Sequence, residues 1–268
     1  MVTERPAERS WPWWAVAGLL LAAFVVLACL SRLVPALSAW DRHVTESFIR
    51  WRSPGWSRTF WAFTLIGDDP VMGALSAALV VPRALWGKRA CALCGATALL
   101  AAWGLMSLTK ALVGRERPPQ LDALIHRPVS HSMPSGHALV SMVFVGLLAY
   151  LAVGWIGRRL RGSRPRAAIL QGAVVLAAAA VTGMIGVSRV YLGVHWLSDV
   201  IAGWCLGGVI LAAALWFTSR WKTSGGPRYI FRDAKPWGDT GRRCAVVAVL
   251  AMLVVALVVI TALVDPLK

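Results

Sequence analysis

Seven apolar runs, each close to the length needed to cross a bilayer as a helix, alternate with polar segments along the chain. A helix needs about 20 mostly apolar residues to cross the hydrocarbon core of a membrane. The runs cover approximately residues 13–30, 70–86, 90–108, 137–156, 167–187, 195–217 and 244–264. The pattern therefore predicts an all-α fold, a polytopic membrane helical bundle with about seven spans.

Composition supports a membrane protein and changes how the charge is interpreted. Hydrophobic residues make up 58% of the 268 residues, and the mean hydropathy is +0.64, which is too apolar for an ordinary soluble domain. Many of the 15 Trp residues flank apolar runs, where indole rings favour the membrane interface. The net charge of +16 would suggest nucleic acid in a soluble protein, but here it indicates basic cytoplasmic loops. No nucleic-acid partner is expected.

Basic residues are distributed unevenly between the two sides of the predicted bundle. They are frequent in residues 1–10, 83–89, 158–166 and 220–243, which all lie on the side of the N-terminus. Because short basic loops stay in the cytoplasm, the N-terminus is predicted to be cytoplasmic in the cell (inner) membrane. The loops at 31–69, 110–136 and 188–195 then share the outer, periplasmic or extracellular, side.

The first of these outer loops contains a further helical pattern. Trp40, Val44, Phe48 and Trp51 recur at helical spacing, with Arg residues between them. This pattern predicts a helix lying in the plane of the membrane interface, although a loop with scattered aromatic residues is the alternative.

A polar stretch at 188–199 separates the fifth and sixth apolar runs. If it is helical, His195 and Asp199 are four residues apart and share one face. The carboxylate then accepts the Nδ1 proton of the imidazole, which leaves Nε2 as a nucleophile. Arg189 supplies a positive charge suited to phosphate. A structural His–Asp pair is the alternative interpretation.

The loop at 110–136 contributes two more groupings. Lys110 and Arg117 are two cations near the end of an apolar helix, where they favour an anion or simply snorkel to the interface. Ser135, Gly136 and His137 follow Pro134 at the start of the fourth run, and a helix N-terminus with glycine favours phosphate binding. A plain N-cap turn is the alternative for this second grouping.

In order, the three groupings read K-x6-RP, PSGH and SR-x5-H-x3-D. This triple resembles the signature of the type 2 phosphatidic acid phosphatase family, which shares its site with vanadium haloperoxidases. The resemblance covers 110–199 and implies a six-span phosphatase core within 1–218. Residues 219–268, a basic cytoplasmic loop and one more span, then form an addition to that core.

The resemblance also implies the role of each residue. His195 attacks phosphorus to form a phosphohistidine, Asp199 orients His195, and His137 protonates the leaving oxygen and then activates water. The phosphoryl oxygens are bound by the remaining motif positions. These are Lys110, Arg117, Ser135, Gly136 and Arg189. Because cations take the place of a metal, no metal and no cofactor is implied.

Three further pairs of residues lie outside the proposed roles. Arg115 and Arg127 are expected to widen the cationic site or to contact a diphosphate. Asp68 and Asp69 are expected to cap the second span. The Gly203 and Gly207 pair, spaced four apart, is expected to let a neighbouring helix pack closely beneath the site.

The leading hypothesis is an enzyme that hydrolyses a lipid phosphate or diphosphate in contact with membrane lipids. Undecaprenyl diphosphate, phosphatidic acid and phosphatidylglycerol phosphate are the candidate substrates. Transfer of the phosphoryl group to another lipid is a second hypothesis. A transporter or lipid-binding protein is a third, but binding alone needs neither a nucleophile nor an acid. Haloperoxidase activity is not expected, because many spans suit a lipid substrate better than peroxide and halide.

Overall fold

The computed structural model describes residues 12–85 and 89–223, which contain helices joined by turns and loops and no strand. The helices are α1 (Trp13–Leu33), α2 (Pro35–Arg50), α3 (Pro54–Ile66), α4 (Asp69–Leu85), α5 (Arg89–Val113), α6 (Gly136–Arg159), α7 (Arg164–Tyr191) and α8 (Leu197–Thr223). A single turn of 3₁₀ helix lies at Gln120–Asp122, between α5 and α6. The predicted all-α membrane bundle is confirmed.

Five of these helices, α1 and α5 to α8, are each long and apolar enough to cross a membrane. The second apolar run behaves differently from its prediction. Helix α4 has only 17 residues, and it qualifies as a span only together with α3, from which it is bent by 49°. The predicted seventh span lies outside the described residues. Helix α8 continues to Thr223, past the expected core boundary at 218. The rest of the predicted addition, 224–268, also lies outside the described residues.

The helix predicted in the first outer loop is present as α2. Pro35 stands in its first turn, where a residue without an N–H costs nothing. Helix α3 also begins with a proline, Pro54, and Ser53 caps it by accepting the Trp56 N–H at 3.4 Å. That α2 lies in the membrane interface stays a prediction.

Helix α6 is the centre of the bundle and packs against α4, α5, α7 and α8. Leu139 and Val143 of α6 and Ile185 of α7 are completely buried in this core. By contrast, Leu19 of α1 and Leu176 of α7 are each 73% exposed. A membrane protein places such side chains against lipid, where their exposure has no hydrophobic cost.

Glycine brings α8 into close contact with α6. A Cβ atom on Gly203 would lie 2.7 Å from the Ser135 carbonyl oxygen, and one on Gly207 would lie 2.7 Å from that of Leu139. Any larger side chain at either position would push the helices apart, so the predicted close packing beneath the site is confirmed. This contact holds the start of α6 against the start of α8.

Candidate active site

The predicted site residues meet at one end of the bundle. The carboxyl ends of α5 and α7 and the amino ends of α6 and α8 converge there, and residues 114–135 fold over them. The Leu124 N–H donates to the Leu192 carbonyl at 2.9 Å, and the Ser135 N–H donates to the Asp199 carbonyl at 3.0 Å. The loops that the charge pattern places on one side of the membrane therefore do come together in space.

His195 lies in the connection between α7 and α8 and not on a helix. Gly193, with a φ of +75°, turns the chain after α7, and α8 begins only at Leu197. The prediction that His195 and Asp199 share a helical face is therefore wrong. The turn nevertheless buries the His195 ring and points its Nδ1 toward Asp199, at 3.5 Å from Oδ2.

The hydrogen bond to Arg117 identifies the tautomer of His195. Arg117 Nη1 lies 2.9 Å from Nε2, and a guanidinium can only donate. Nε2 therefore carries the lone pair, and Nδ1 carries the proton on the side of Asp199. A nucleophilic histidine needs this arrangement.

The surroundings of His195 also keep its ring neutral. Burial lowers the pKa of His195 well below its ordinary value, and the positive charges of Arg117, Arg189 and Lys110 lower it further. In a neutral ring at pH 7, Nε2 is unprotonated; its lone pair accepts from Arg117 here, and it can attack phosphorus when a phosphoryl oxygen takes that donor instead. An arriving phosphate anion would offset the same cations.

Asp199 is completely buried and held on both oxygens. Arg115 Nη1 donates to Oδ1 at 2.7 Å, whereas the Trp196 N–H, at 2.9 Å, and the Ser132 hydroxyl donate to Oδ2. Ser132 Oγ also lies 3.5 Å from His195 Nδ1. These bonds hold the Asp199 carboxylate in place. A carboxylate can orient His195 only if it is itself held in this way.

Arg115 does not have the position expected from its sequence. Instead of widening the cationic site, its buried guanidinium lies between two carboxylates, Asp199 and Asp41 of α2, at 2.7 Å from each. A guanidinium engaged in this way has no free edge for a diphosphate. Arg127, the other arginine of that prediction, donates to the Pro118 carbonyl at 3.1 Å.

Three cations act on His195 through their charge, and Arg117 is the one in contact with its Nε2. Arg117 is fixed by the Ser130 carbonyl at 2.7 Å and by the Val194 carbonyl at 2.8 Å. Burial lowers the pKa of Arg117 to about 10, so it remains protonated at pH 7. Lys110 Nζ donates to Ser130 Oγ at 3.2 Å. Arg189 is buried in α7, and its Nη1 donates to the Thr64 hydroxyl of α3.

The start of α6 lies beside these cations. Ser135 is the N-cap residue and is completely buried, and Gly136 begins the helix. A Cβ atom on Gly136 would lie 2.4 Å from the sulfur of Met106, so only glycine fits this position without a shift. The N–H groups of a first helical turn have no partner within the helix, and they favour an anion.

His137 faces the break between α3 and α4. Its Nε2 lies 3.6 Å from Asp68 Oδ1, and a Cβ atom on Gly67 would lie 2.9 Å from its Cδ2. Asp68 directly precedes α4, and its carbonyl accepts the Met72 N–H at 2.8 Å, which fits the expected cap; its side chain also reaches the predicted general acid. Asp69 does stand in the first turn of α4, as expected.

Three predicted site residues have a buried polar atom without a hydrogen-bond partner in the described part of the chain. These atoms are Ser135 Oγ, His137 Nε2 and Arg189 Nε. Buried polar atoms are nearly always paired, because an unpaired one costs about 1–3 kcal/mol. Ser135 Oγ and Arg189 Nε can donate to an anion, and His137 Nε2 can exchange a proton with it. The three atoms therefore suit a ligand such as phosphate.

Five residues at this end were not among the predicted site residues. They are Asp41, Thr64, Asp68, Ser132 and Ser198. Ser132 and Ser198 carried a signal, since Ser132 stands three residues before Ser135 and Ser198 stands directly before Asp199. The other three lie in α2, in α3 and between α3 and α4, and no spacing links those segments to the motifs.

Comparisons with known proteins agree with this architecture. A family model described as the PAP2 superfamily matches residues 89–224. The solved structure of a transmembrane PAP2-type phosphatidylglycerolphosphate phosphatase from Bacillus subtilis superposes with a TM-score of 0.65. The alignment covers 76% of this chain and 96% of that one, at 23% sequence identity. At this identity the likeness shows a shared fold.

Two curated relatives match by sequence. Phosphatidylglycerophosphatase B of Bacillus subtilis (strain 168) is 27% identical over 192 residues, which are 70% of this chain and 87% of the relative. An undecaprenyl-diphosphatase of Sulfolobus acidocaldarius is 36% identical over 84 residues. That match spans 31% of this chain and about a third of the relative, 32%.

Proposed function

Because the chain belongs to the PAP2 superfamily, we propose that it is a multi-pass membrane phosphatase that hydrolyses a lipid phosphate or diphosphate through a phosphohistidine on His195. One observation carries this proposal. The unpaired atoms of Ser135, His137 and Arg189 lie beside a buried histidine whose Nε2 holds its lone pair toward Arg117.

In the first step, His195 Nε2 attacks phosphorus as the bond from phosphorus to the leaving oxygen breaks. That oxygen takes a proton from Nε2 of protonated His137, which is left neutral for the second step; this Nε2 has no hydrogen-bond partner among the described residues. Charge on the phosphoryl oxygens is stabilised by Lys110, Arg117 and Arg189. Ser135 and the first amides of α6 donate to the same oxygens.

In the second step, water attacks the phosphohistidine and His137 accepts the proton of that water. The bond between phosphorus and Nε2 breaks, which returns the electron pair to His195 and releases phosphate. Asp199 stabilises the positive ring of the intermediate through Nδ1–H. Dividing the displacement into two steps lets the same residues act twice.

The substrate is proposed to be a lipid whose head group ends in a phosphate or diphosphate. The names of the two relatives support phosphatidylglycerol phosphate and undecaprenyl diphosphate, and phosphatidic acid belongs to the same chemical class. A site at the ends of membrane-spanning helices suits a polar head group whose tail stays in lipid. We propose that this end faces the outside of the cell membrane, with the N-terminus in the cytoplasm.

The test is phosphate release from detergent micelles that contain each of these three lipids. Wild type should hydrolyse at least one of them in the presence of EDTA, because cations supply the charge that a metal would otherwise supply. His195→Ala should reduce the rate by at least about a thousandfold, since removing a covalent nucleophile leaves only binding effects. A phosphorus-labelled substrate should leave acid-labile label on wild type and none on the variant.

His126→Ala is the matched control, because His126 is an exposed histidine at the same end of the bundle, in the loop between α5 and α6, and lies outside the motifs. It should retain wild-type activity. Full activity of His195→Ala would refute the assignment of the nucleophile. Labelled acceptor lipid in place of free phosphate would instead show phosphoryl transfer.

A further inference from the structure

Asp41 is a buried carboxylate that belongs to none of the three motifs. It lies on α2, 74 residues before Arg115, and is completely buried. Its Oδ2 accepts from Arg115 Nη2 at 2.7 Å, while Arg115 Nη1 donates to Asp199 at 2.7 Å. One guanidinium is therefore shared by two carboxylates, and only one of them faces His195.

Ser198 connects Asp41 to the start of α8. Its backbone N–H donates to Asp41 Oδ1 at 3.0 Å, and its hydroxyl donates to Oδ2 at 2.5 Å. Arg115 Nη1 lies 2.6 Å from the same hydroxyl oxygen. Asp41 therefore accepts three hydrogen bonds on its two oxygens, one from Arg115 and two from Ser198. Ser198 is adjacent to Asp199 in the chain.

The charge balance of this group bears on His195. Two ionised carboxylates and one guanidinium leave one negative charge in excess. Without the charge of Asp41, Arg115 would cancel Asp199 alone and the excess would vanish. Asp199 would then stabilise the positive phosphohistidine ring less well, because buried charges interact over several ångströms with little screening.

We propose that Asp41 is a positioning residue for the nucleophile: by sharing Arg115 it holds Asp199 in place and leaves Asp199 its negative charge for His195. The inference rests on the proposed function, since it assumes that His195 becomes positively charged during the reaction. A purely structural clamp would stabilise the same contacts without affecting the charge of the ring.

The experiment is a double-mutant cycle that compares Asp41→Asn, Arg115→Gln and the double variant with wild type. The substrate is whichever of the three micellar lipids wild type hydrolyses fastest. Asp41→Asn removes a negative charge from the group of Asp41, Arg115 and Asp199, and it should lower kcat about tenfold with little change in KM. Arg115→Gln removes a positive charge from the same group, so it changes the net charge in the opposite direction. The double variant regains the wild-type net charge, so its kcat should exceed that of Asp41→Asn.

The pH profile of kcat/KM separates charge from structure. The acid limb of this profile is the fall in kcat/KM at low pH, where His195 becomes protonated. Loss of a negative charge disfavours protonated His195, so the acid limb of Asp41→Asn should move to lower pH. The acid limb of Arg115→Gln should move to higher pH, and that of the double variant should return toward wild type. Other charged groups around the ring are unchanged in this comparison. They are Lys110 on α5, Arg117 in the loop, His137 on α6, Arg189 on α7 and Asp199 on α8.

Thr45→Val is the matched control. Thr45 is buried on α2 one turn after Asp41, and its hydroxyl has no partner among the described residues. This variant should keep the wild-type kcat and pH profile. Thermal unfolding in detergent should show that each variant is folded at the assay temperature.

The outcomes are distinguishable. Opposite shifts of the acid limb in the two single variants, with recovery in the double variant, support the proposal. Unshifted limbs, or a double variant no faster than Asp41→Asn, would overturn it while His195→Ala remains inactive. An active His195→Ala variant would refute the proposed function itself.

Discussion

Two groups of polar residues lie at the end of the bundle that holds His195, and they differ in how fully their atoms are hydrogen-bonded. In the paired cluster, which comprises Asp41, Arg115, Ser132, Ser198 and Asp199, every side chain has a short polar contact. In the unpaired cluster, which comprises Ser135, His137 and Arg189, each side chain keeps a buried polar atom without a partner in the described residues.

The difference shows how one buried end can be both stable and reactive. Paired polar groups hold His195 in one orientation and one tautomer. Unpaired groups cost stability in the free protein, and that cost is recovered only when a ligand bonds to them. Substitutions in the first cluster should therefore lower both stability and rate, whereas those in the second should lower the rate alone.

The largest effect is expected in the paired cluster, from Asp199→Asn. The neutral amide cannot stabilise a positive His195 ring, so the rate should fall about a thousandfold or more. Its NH2 group would also face donors, so the free energy of unfolding should fall by about 1–3 kcal/mol. Steady-state assays and thermal unfolding in detergent measure the two effects.

Glu116→Gln is the control for that variant, because Glu116 is an exposed carboxylate between Arg115 and Arg117. It should change neither rate nor stability. An Asp199→Asn protein that loses activity but unfolds like wild type would break the distinction between the clusters.

A smaller effect is expected in the unpaired cluster, from Ser135→Ala. Losing one donor to the phosphoryl oxygens should lower kcat roughly a hundredfold. The melting temperature should stay the same or rise, because a buried hydroxyl without a partner is removed. The same assay and unfolding experiments test this expectation.

Ser141→Ala is the matched control on the same helix. Ser141 is also completely buried, but its hydroxyl donates to the Ala138 carbonyl at 3.2 Å, away from the site. It should retain wild-type kcat. A Ser135→Ala protein that loses stability but not activity would show that Ser135 belongs with the structural residues.

The smallest effect is expected in the pH dependence, which reports the protonation of His195. His195 must be neutral to attack, so activity exists above its pKa and is lost as the pH falls below it. Because burial and nearby cations lower that pKa, the acid limb due to His195 should lie below pH 6.5, the ordinary value for histidine. The profile of kcat/KM reports the free enzyme.

Arg117→Gln sharpens this measurement, because Arg117 is the cation closest to Nε2. Its removal should move the acid limb of the remaining activity to higher pH. Arg127→Gln, in the same loop, should leave the limb where wild type has it, and ionisation of the substrate affects all three proteins equally. An unchanged limb in Arg117→Gln would mean that another group controls it.

The helices could be predicted well because a bilayer imposes a length and a polarity on every segment that crosses it. Those constraints act on consecutive residues, so 137–156 and 167–187 already indicate α6 and α7. The pair Gly203 and Gly207 similarly predicted a close helix contact from spacing alone. The start of α4 was predicted at 70, but residues 54–66 were assigned to a loop, so α3 and its pairing with α4 were not predicted.

Spacing was a poorer guide within the site. An interval of four residues fits a helix, yet His195 and Asp199 meet across a turn because Gly193 ends the preceding helical path. Arg115 looked like a further cation for phosphate, because its partner Asp41 is distant in the sequence. A charge can be assigned from sequence, but its partner is decided by packing.

By itself, the sequence determined an all-α membrane bundle and the three groupings that carry cations, histidines and an amide-rich helix start. These depend on local composition and on residues a few positions apart. Only the tertiary structure decided which polar atoms are paired, because pairing depends on segments that approach from different parts of the chain. It placed Asp41 behind Arg115, Asp68 beside His137 and Arg117 on the lone pair of His195.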